Sequence, residues 1–201
     1  MILLTTFALS CSAETLAGHY VLEGVREVGS ELLLKPDGTF EYMLAYGAAD
    51  YAATGTWKSE GTAVILNSPA KKDPPFRLIG SATVKSPGIR VWVKAPNGRA
   101  IPNIDIALKT TAEERTARTD SDGVALFPRS GLPREVTISV RVYHLEAGPY
   151  QVDPQQNDFT FEINGAAITS VPFENERLII NRRVLEMRYW DPSRVMNYRK
   201  Q

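Results

Sequence analysis

From Gly18 to Val84, apolar and polar residues alternate in short runs separated by turn residues, and no stretch carries a period of 3.6. The pattern predicts β-strands. In "LLLKPDGTFEYMLAYG" two alternating runs flank Pro36-Asp37-Gly38, where proline presets one turn torsion and glycine accepts a positive φ, so a hairpin is expected. Side chains of a strand alternate between its faces, which puts Phe40, Tyr42, Leu44 and Tyr46 on one face, assigned to the core. "ATGTWKSEGTAVILNS" repeats the arrangement, with Trp57 and Val64 to Leu66 on either side of Ser59-Glu60-Gly61. The stretch "AYGAADYAATG", residues 45–55, fits the strand pattern least; its small residues suggest a loop or close backbone packing.

After "SPGI", Ser86 to Ile89, a new series begins. Ile89, Val91 and Val93 alternate with Arg90, Trp92 and Lys94, and Pro96-Asn97-Gly98 supplies a turn before Ile104, Ile106 and Leu108. "RTARTDSDGVALFP" predicts a further strand pair, and "EVTISVRVYHL" places Val136, Ile138, Val140 and Val142 on one face.

The spacing of Val91, Val93, Gly98, Pro102, Asn103, Ile106, Leu108, Thr119, Asp122, Gly123 and Phe127 resembles the transthyretin-like, or carboxypeptidase regulatory-like, β-sandwich family over residues 88–150. That resemblance implies a two-sheet sandwich, a module that serves as an accessory in exported bacterial proteins, and says little of function. Through "LKPDGTFEY" and "GTW" the first half more loosely resembles lipocalin-like domains of bacterial exported proteins of unknown function.

Beyond Tyr150, "DFTFEI", "RLIIN" and "RVLEMRYW" are strand-like, and Asp191-Pro192 is suited to open one helical turn. These fifty or so residues are expected to return and complete the sheet begun by residues 18–84. The expected fold class is all-β, with two small sandwich or barrel domains, the second transthyretin-like and inserted in the first. In numbers, this gives a signal-like segment at 1–13, a barrel-like domain at 14–86, the sandwich at 87–150, and completing strands at 151–201. A tandem pair with an appended hairpin is the alternative.

Composition narrows the function classes. Hydrophobic residues make up 43% and charged residues 23% of the 201, the balance of an ordinary globular protein, and 23 acids match 23 bases. Without a net field, a nucleic-acid partner is not expected. The one local asymmetry is an acidic block, Asp153, Asp158, Glu162, Glu174 and Glu176, ahead of Arg177, Arg182, Arg183, Arg188, Arg194, Arg199 and Lys200, expected to compensate each other across neighbouring strands. The apolar start "MILLTTFALSCSAETL" is too short to span a bilayer and reads as the hydrophobic part of an export signal, with a buried first strand as the alternative. "FALSC" resembles a bacterial lipobox, which makes Cys11 a candidate lipid anchor and the only expected route to a membrane; Ala8 stands where that motif prefers Leu, Val or Ile. Export to the periplasm or envelope is therefore expected.

The candidate chemistry is sparse. Asp120 and Asp122 lie beside Gly123, but Val124 to Phe127 follow, so a calcium loop runs out of ligands and a turn is expected instead. His19 and His144 have no Cys or His at ligand spacing, and no nucleophile-elbow motif is present, so no metal, cofactor or catalytic residue is assigned. Hydroxyisourate hydrolases share the transthyretin fold and end in Tyr-Arg-Gly-Ser; this chain ends Tyr198-Arg199-Lys200-Gln201 and departs after two residues, leaving hydrolysis a remote alternative. The aromatics Tyr42, Tyr46, Tyr51 and Trp57 suit either a core or the lining of a barrel mouth. If the first domain holds a ligand or interaction site, Tyr46, Asp50, Tyr51 and Trp57 are its candidates. The expected function is a non-catalytic binding or structural module of the cell envelope with an unknown envelope protein as partner; a carrier of a small apolar or carbohydrate ligand is the alternative.

Overall fold

The computed structural model describes residues 16–70, 73–189 and 193–201. Strand makes up 59% and helix 5%, in keeping with the period-two pattern. Cys11 and the Asp191-Pro192 turn lie outside the described residues.

The first five strands are β1 (Gly18–Glu23), β2 (Val28–Leu34), β3 (Thr39–Tyr46), β4 (Ala49–Glu60) and β5 (Ala63–Asn67), each antiparallel to the next. Gly38, at φ +81°, turns the chain between β2 and β3, and the indole N–H of Trp57 donates to the Lys35 carbonyl at 2.9 Å behind that turn. Residues 45–55 do not form a loop. They are the β3–β4 hairpin, turned at Gly47 and Ala48, with Ala49, Tyr51, Ala53, Gly55 and Trp57 on the inward face. Small side chains make the alternation hard to see, and at Gly55 the lack of one is required: a Cβ there would stand 2.0 Å from the Asn67 carbonyl oxygen and 2.8 Å from the Phe40 ring. Tyr46 also departs from expectation. It is on the core face by parity but 59% exposed, because it is the last strand residue before the turn.

Between β5 and the final strands the chain makes β6 (Phe76–Ala82), β7 (Gly88–Lys94), β8 (Asp105–Thr110), β9 (Glu114–Arg118), β10 (Val124–Pro128), β11 (Pro133–Val140), β12 (Leu145–Gln151) and β13 (Asp158–Ile163), then a one-turn helix α1 (Gly165–Thr169). They form two four-stranded sheets, β10-β7-β13-β6 and β12-β11-β8-β9. Their apolar faces share one core, with Val91, Val93, Ile106, Phe127, Ile138 and Phe161 all but fully buried. Two segments assigned by sequence to the first domain belong here. Phe76–Ala82 pairs with β13, and β13 itself, the "DFTFEI" run, lies parallel to β7 rather than in the first sheet. Strand parity is the same in either sheet, so pattern alone does not choose the partner.

The Asp120–Gly123 stretch turns a corner, not a hairpin: β9 and β10 lie in different sheets. Asp120 Oδ1 accepts the backbone N–H groups of Asp122 at 2.9 Å and Val124 at 3.0 Å, and Gly123 takes φ +75°. Buried Thr119 ties the corner down, accepting from the Ile104 N–H and donating to the Ile101 carbonyl, each at 2.9 Å. The predicted apolar face of β11 ends at Val140; Val142 sits in a 3-10 turn and is 43% exposed.

The last strands, β14 (Glu176–Asn181), β15 (Val184–Met187) and β16 (Met196–Lys200), return to the first five. β14 pairs with β5 and β16 pairs with β1, so eight antiparallel strands close into a barrel without a free edge. The chain divides into two compact units at 70/71 and 169/170, the barrel being discontinuous in sequence. β4 pairs with β5 only over Thr56–Glu60. Beside its first half the returning chain takes the place of a strand: Val171 N–H donates to the Ala52 carbonyl at 2.9 Å, and Val171 and Phe173 are buried in the barrel core.

Three members of the acidic and basic blocks take partners outside them rather than each other. Asp158 pairs with Arg90 and Glu162 with Arg77, whereas Arg199 pairs with Glu23. Asp158 and Glu162 lie on a sandwich strand and Arg199 on a barrel strand, so proximity in sequence is not proximity in space.

Candidate functional site

The barrel interior is occupied by side chains. Phe173 meets Tyr42 edge-on at 5.1 Å and Tyr189 at 5.0 Å, with Phe40 at 5.9 Å. Below this cluster a hydroxyl chain crosses the core: Ser30 Oγ donates to the Met43 carbonyl at 2.6 Å and lies 2.8 Å from the Tyr198 hydroxyl, itself 3.3 Å from that of Tyr42. Burial pushes the Tyr198 phenol far above its ordinary value, so it stays a neutral structural group. Tyr189 is also raised, first by burial and then by the nearby charge of Glu176, and its hydroxyl donates to the Pro172 carbonyl at 3.1 Å.

The structure does not gather the four sequence candidates into one site. Tyr46 and Asp50 are exposed around the β3–β4 turn, where Ala45 pairs with Asp50. Tyr51 packs against the barrel core, and Trp57 is 6% exposed with its N–H already bonded to Lys35. Six steps along the strand separate Tyr51 from Trp57, about 20 Å at ~3.3 Å per residue.

His19 lies on the outer face of β1 with Nε2 2.8 Å from Glu31 Oε2 across the β1–β2 pair. That pair borders a shallow depression of about 330 Å³ with Leu33, Glu41, Met43 and Thr54. Glu41 is itself held by Lys35. His144 is exposed at the end of the 3-10 turn. The terminal Tyr198-Arg199 lie in β16 of the barrel rather than in the sandwich. Among the described residues, no group of three or more His, Cys, Asp or Glu is placed to hold a metal ion.

A larger concavity lies over β16, with a volume of about 760 Å³. Strand pairing builds it. Asn197 stands opposite Glu23 on β1 and Glu186 on β15, while Arg199 stands opposite Val21 and Val184. Alternation along β16 turns Asn197 and Arg199 outward while Tyr198 points into the core. The β1 end contributes Glu23 and Gly24, and the β14–β15 hairpin contributes Asn181, Arg182 and Arg183. Arg199 Nε donates to Glu23 Oε2 at 2.6 Å, and Asn181 Nδ2 donates to Glu186 Oε1 at 2.9 Å. In the sequence, Arg182, Arg183 and Arg199 stand out only as parts of a basic run. "INRRVL", an Arg-Arg pair at the centre of a two-residue strand connection, was the local signal available for this groove.

Comparison with protein-family models, with curated proteins and with solved structures finds no match to this chain. Among the described residues no helix is long and apolar enough to cross a membrane.

Proposed function

We propose that this protein is a non-catalytic binding module of the bacterial cell envelope, and that it binds on the outside of the barrel, in the groove over β16. The observation that carries the reading is the contrast between the two faces of one strand: Tyr198 closes a filled interior, and Asn197 and Arg199 floor an open polar concavity. A carrier of an apolar ligand needs interior space, which Phe40, Tyr42, Phe173 and Tyr198 occupy. The groove lies within the range of small-ligand sites, about 300–1,000 Å³.

The envelope address rests on the apolar start and Cys11. It draws further support from the resemblance of residues 88–150 to transthyretin-like modules: Val91, Val93, Ile106, Leu108, Thr119 and Phe127 are all buried in a two-sheet unit. The closed eight-stranded barrel supports the lipocalin-like likeness of the first half in architecture alone.

Hydrogen exchange in native envelope extract, compared with buffer, tests the binding surface. Protection is expected at residues 181–186 and 197–199 and not at 41–54. Protection only elsewhere, or none, removes the groove from the proposal, and recovery of the untrimmed chain in the cytosolic fraction removes the envelope.

A further inference from the structure

Which ligand suits this groove follows from its charges, given the reading that the groove is the binding surface. Three guanidinium groups, Arg182, Arg183 and Arg199, share the lining with two carboxylates, Glu23 and Glu186. They are not evenly spread. Arg199 is spoken for by Glu23 on the floor, and Glu186 is held by Asn181 on the wall. Arg182 and Arg183 are both exposed at the hairpin tip, and no ion pair holds either among the described residues. The groove therefore has a cationic end and a body of mixed donors and acceptors.

Arg182 takes φ +58°, a left-handed conformation that two-residue strand connections usually give to asparagine or glycine. Arginine there is held against backbone strain, and it shares the lining of the groove with Arg183. A guanidinium presents a planar fork that matches the oxygens of a carboxylate or phosphate, and two of them line this end of the groove. A long polyanion is disfavoured, since Glu23 and Glu186 would repel charge placed along the groove. Neutral hydroxyl groups suit these carboxylates, which accept hydrogen bonds, while Asn197 both donates and accepts.

We infer that the groove over β16 binds a monosaccharide-sized polyol bearing one terminal oxyanion, a sugar acid or sugar phosphate, with the oxyanion on Arg182 and Arg183 and the hydroxyl groups along Glu186, Asn197 and the Glu23–Arg199 pair. The open, polar lining makes the complex weak and salt-sensitive.

The test is amide NMR titration of the full chain with glucose 6-phosphate, glucuronate and glucose, three probes sharing one body and differing at one end. Saturable shifts are expected at Arg182, Arg183, Asn197 and Arg199 with both acids, at a Kd at least about tenfold below that of glucose. The double variant R182Q/R183Q should lose that tenfold preference and leave glucose unchanged. Because substitutions at the turn can disturb folding, R182N serves as the second variant: asparagine suits the left-handed torsion, so it should keep the fold and weaken the acids severalfold. Glucose binding as tightly as the acids overturns the oxyanion assignment but keeps the groove. No shift in the groove with any probe overturns the inference. Protection of the groove in envelope extract would then leave the binding surface standing with a different ligand, and its absence would remove both.

Discussion

At the residue scale, the barrel core mixes apolar packing with a few buried hydroxyl groups. Tyr198, Tyr42 and Ser30 satisfy one another across sequence separations of 156 and 168 residues. Tyr198→Phe should lower stability by about 1 kcal/mol, the usual net worth of a hydrogen bond, since Ser30 retains the Met43 carbonyl. Chemical denaturation with an unchanged m-value would check this. Glu176 behaves in the opposite sense to a paired carboxylate: burial raises its pKa, so its charged form is penalised in the folded state. That group's contribution to folding is fully present below the ordinary carboxylate pKa and is lost as pH rises from there through its raised folded pKa. Glu176→Gln should therefore raise Tm at pH 7 and have no stabilising effect in acid, measured as paired thermal melts across pH.

At the element scale, the β-sandwich shows how paired strands fix charge. Asp105 on β8 accepts from Arg118 on β9 at 2.8 Å and also from Arg141, and these partners, Arg118 first, hold its carboxyl below the usual range. A depressed carboxylate contributes stability that is present above its unfolded pKa and fades as pH falls through the folded one. Asp105→Asn should cost up to about 1 kcal/mol at neutral pH, as expected of a partly exposed ion pair, and should flatten the acid limb of the stability curve. Which strand meets which was less legible than the strands themselves. Period-two alternation located nearly every run, from Phe40-Tyr42-Leu44 to Val136-Ile138-Val140, because one face of each is buried. It left β6 and β13 misassigned, because alternation says that a face is buried and not against what. It also hid the first half of β4, whose inward face is built from alanines around Tyr51 and from Gly55, which has no room for a Cβ against the Phe40 ring and the Asn67 backbone. Beyond the Arg182-Arg183 turn and Glu186 close behind it, the groove was illegible for a related reason: Glu23 and Asn197 are brought to that hairpin by the β1–β16 and β15–β16 pairings.

At the scale of the whole molecule, the barrel is closed by strands that flank about a hundred intervening residues. Truncation after Asn175 removes β14, β15 and β16, leaving β1 and β5 as open edges and taking Leu178, Leu185, Met187 and Tyr198 out of the core. Such a chain should lose cooperative unfolding and dispersed amide NMR signals. Replacing residues 71–169 with a short Gly/Ser linker should preserve both for the barrel residues, because every barrel strand and its core lie outside that span. Loss of the barrel signals in that variant would show that the intervening unit is needed for the barrel to form. The sequence by itself determined that the chain is all-β, where most strands and turns lie, and that Asp120–Gly123 is a turn rather than a calcium loop, because torsional preference and face alternation are local properties. Only the tertiary structure decided that eight strands close into a barrel, that Trp57 is buried while Tyr46 and Asp50 stay exposed, and that the two sides of β16 divide into a filled core and a charged groove. Those outcomes depend on pairing between residues far apart in the chain, and local pattern carries no record of the partner.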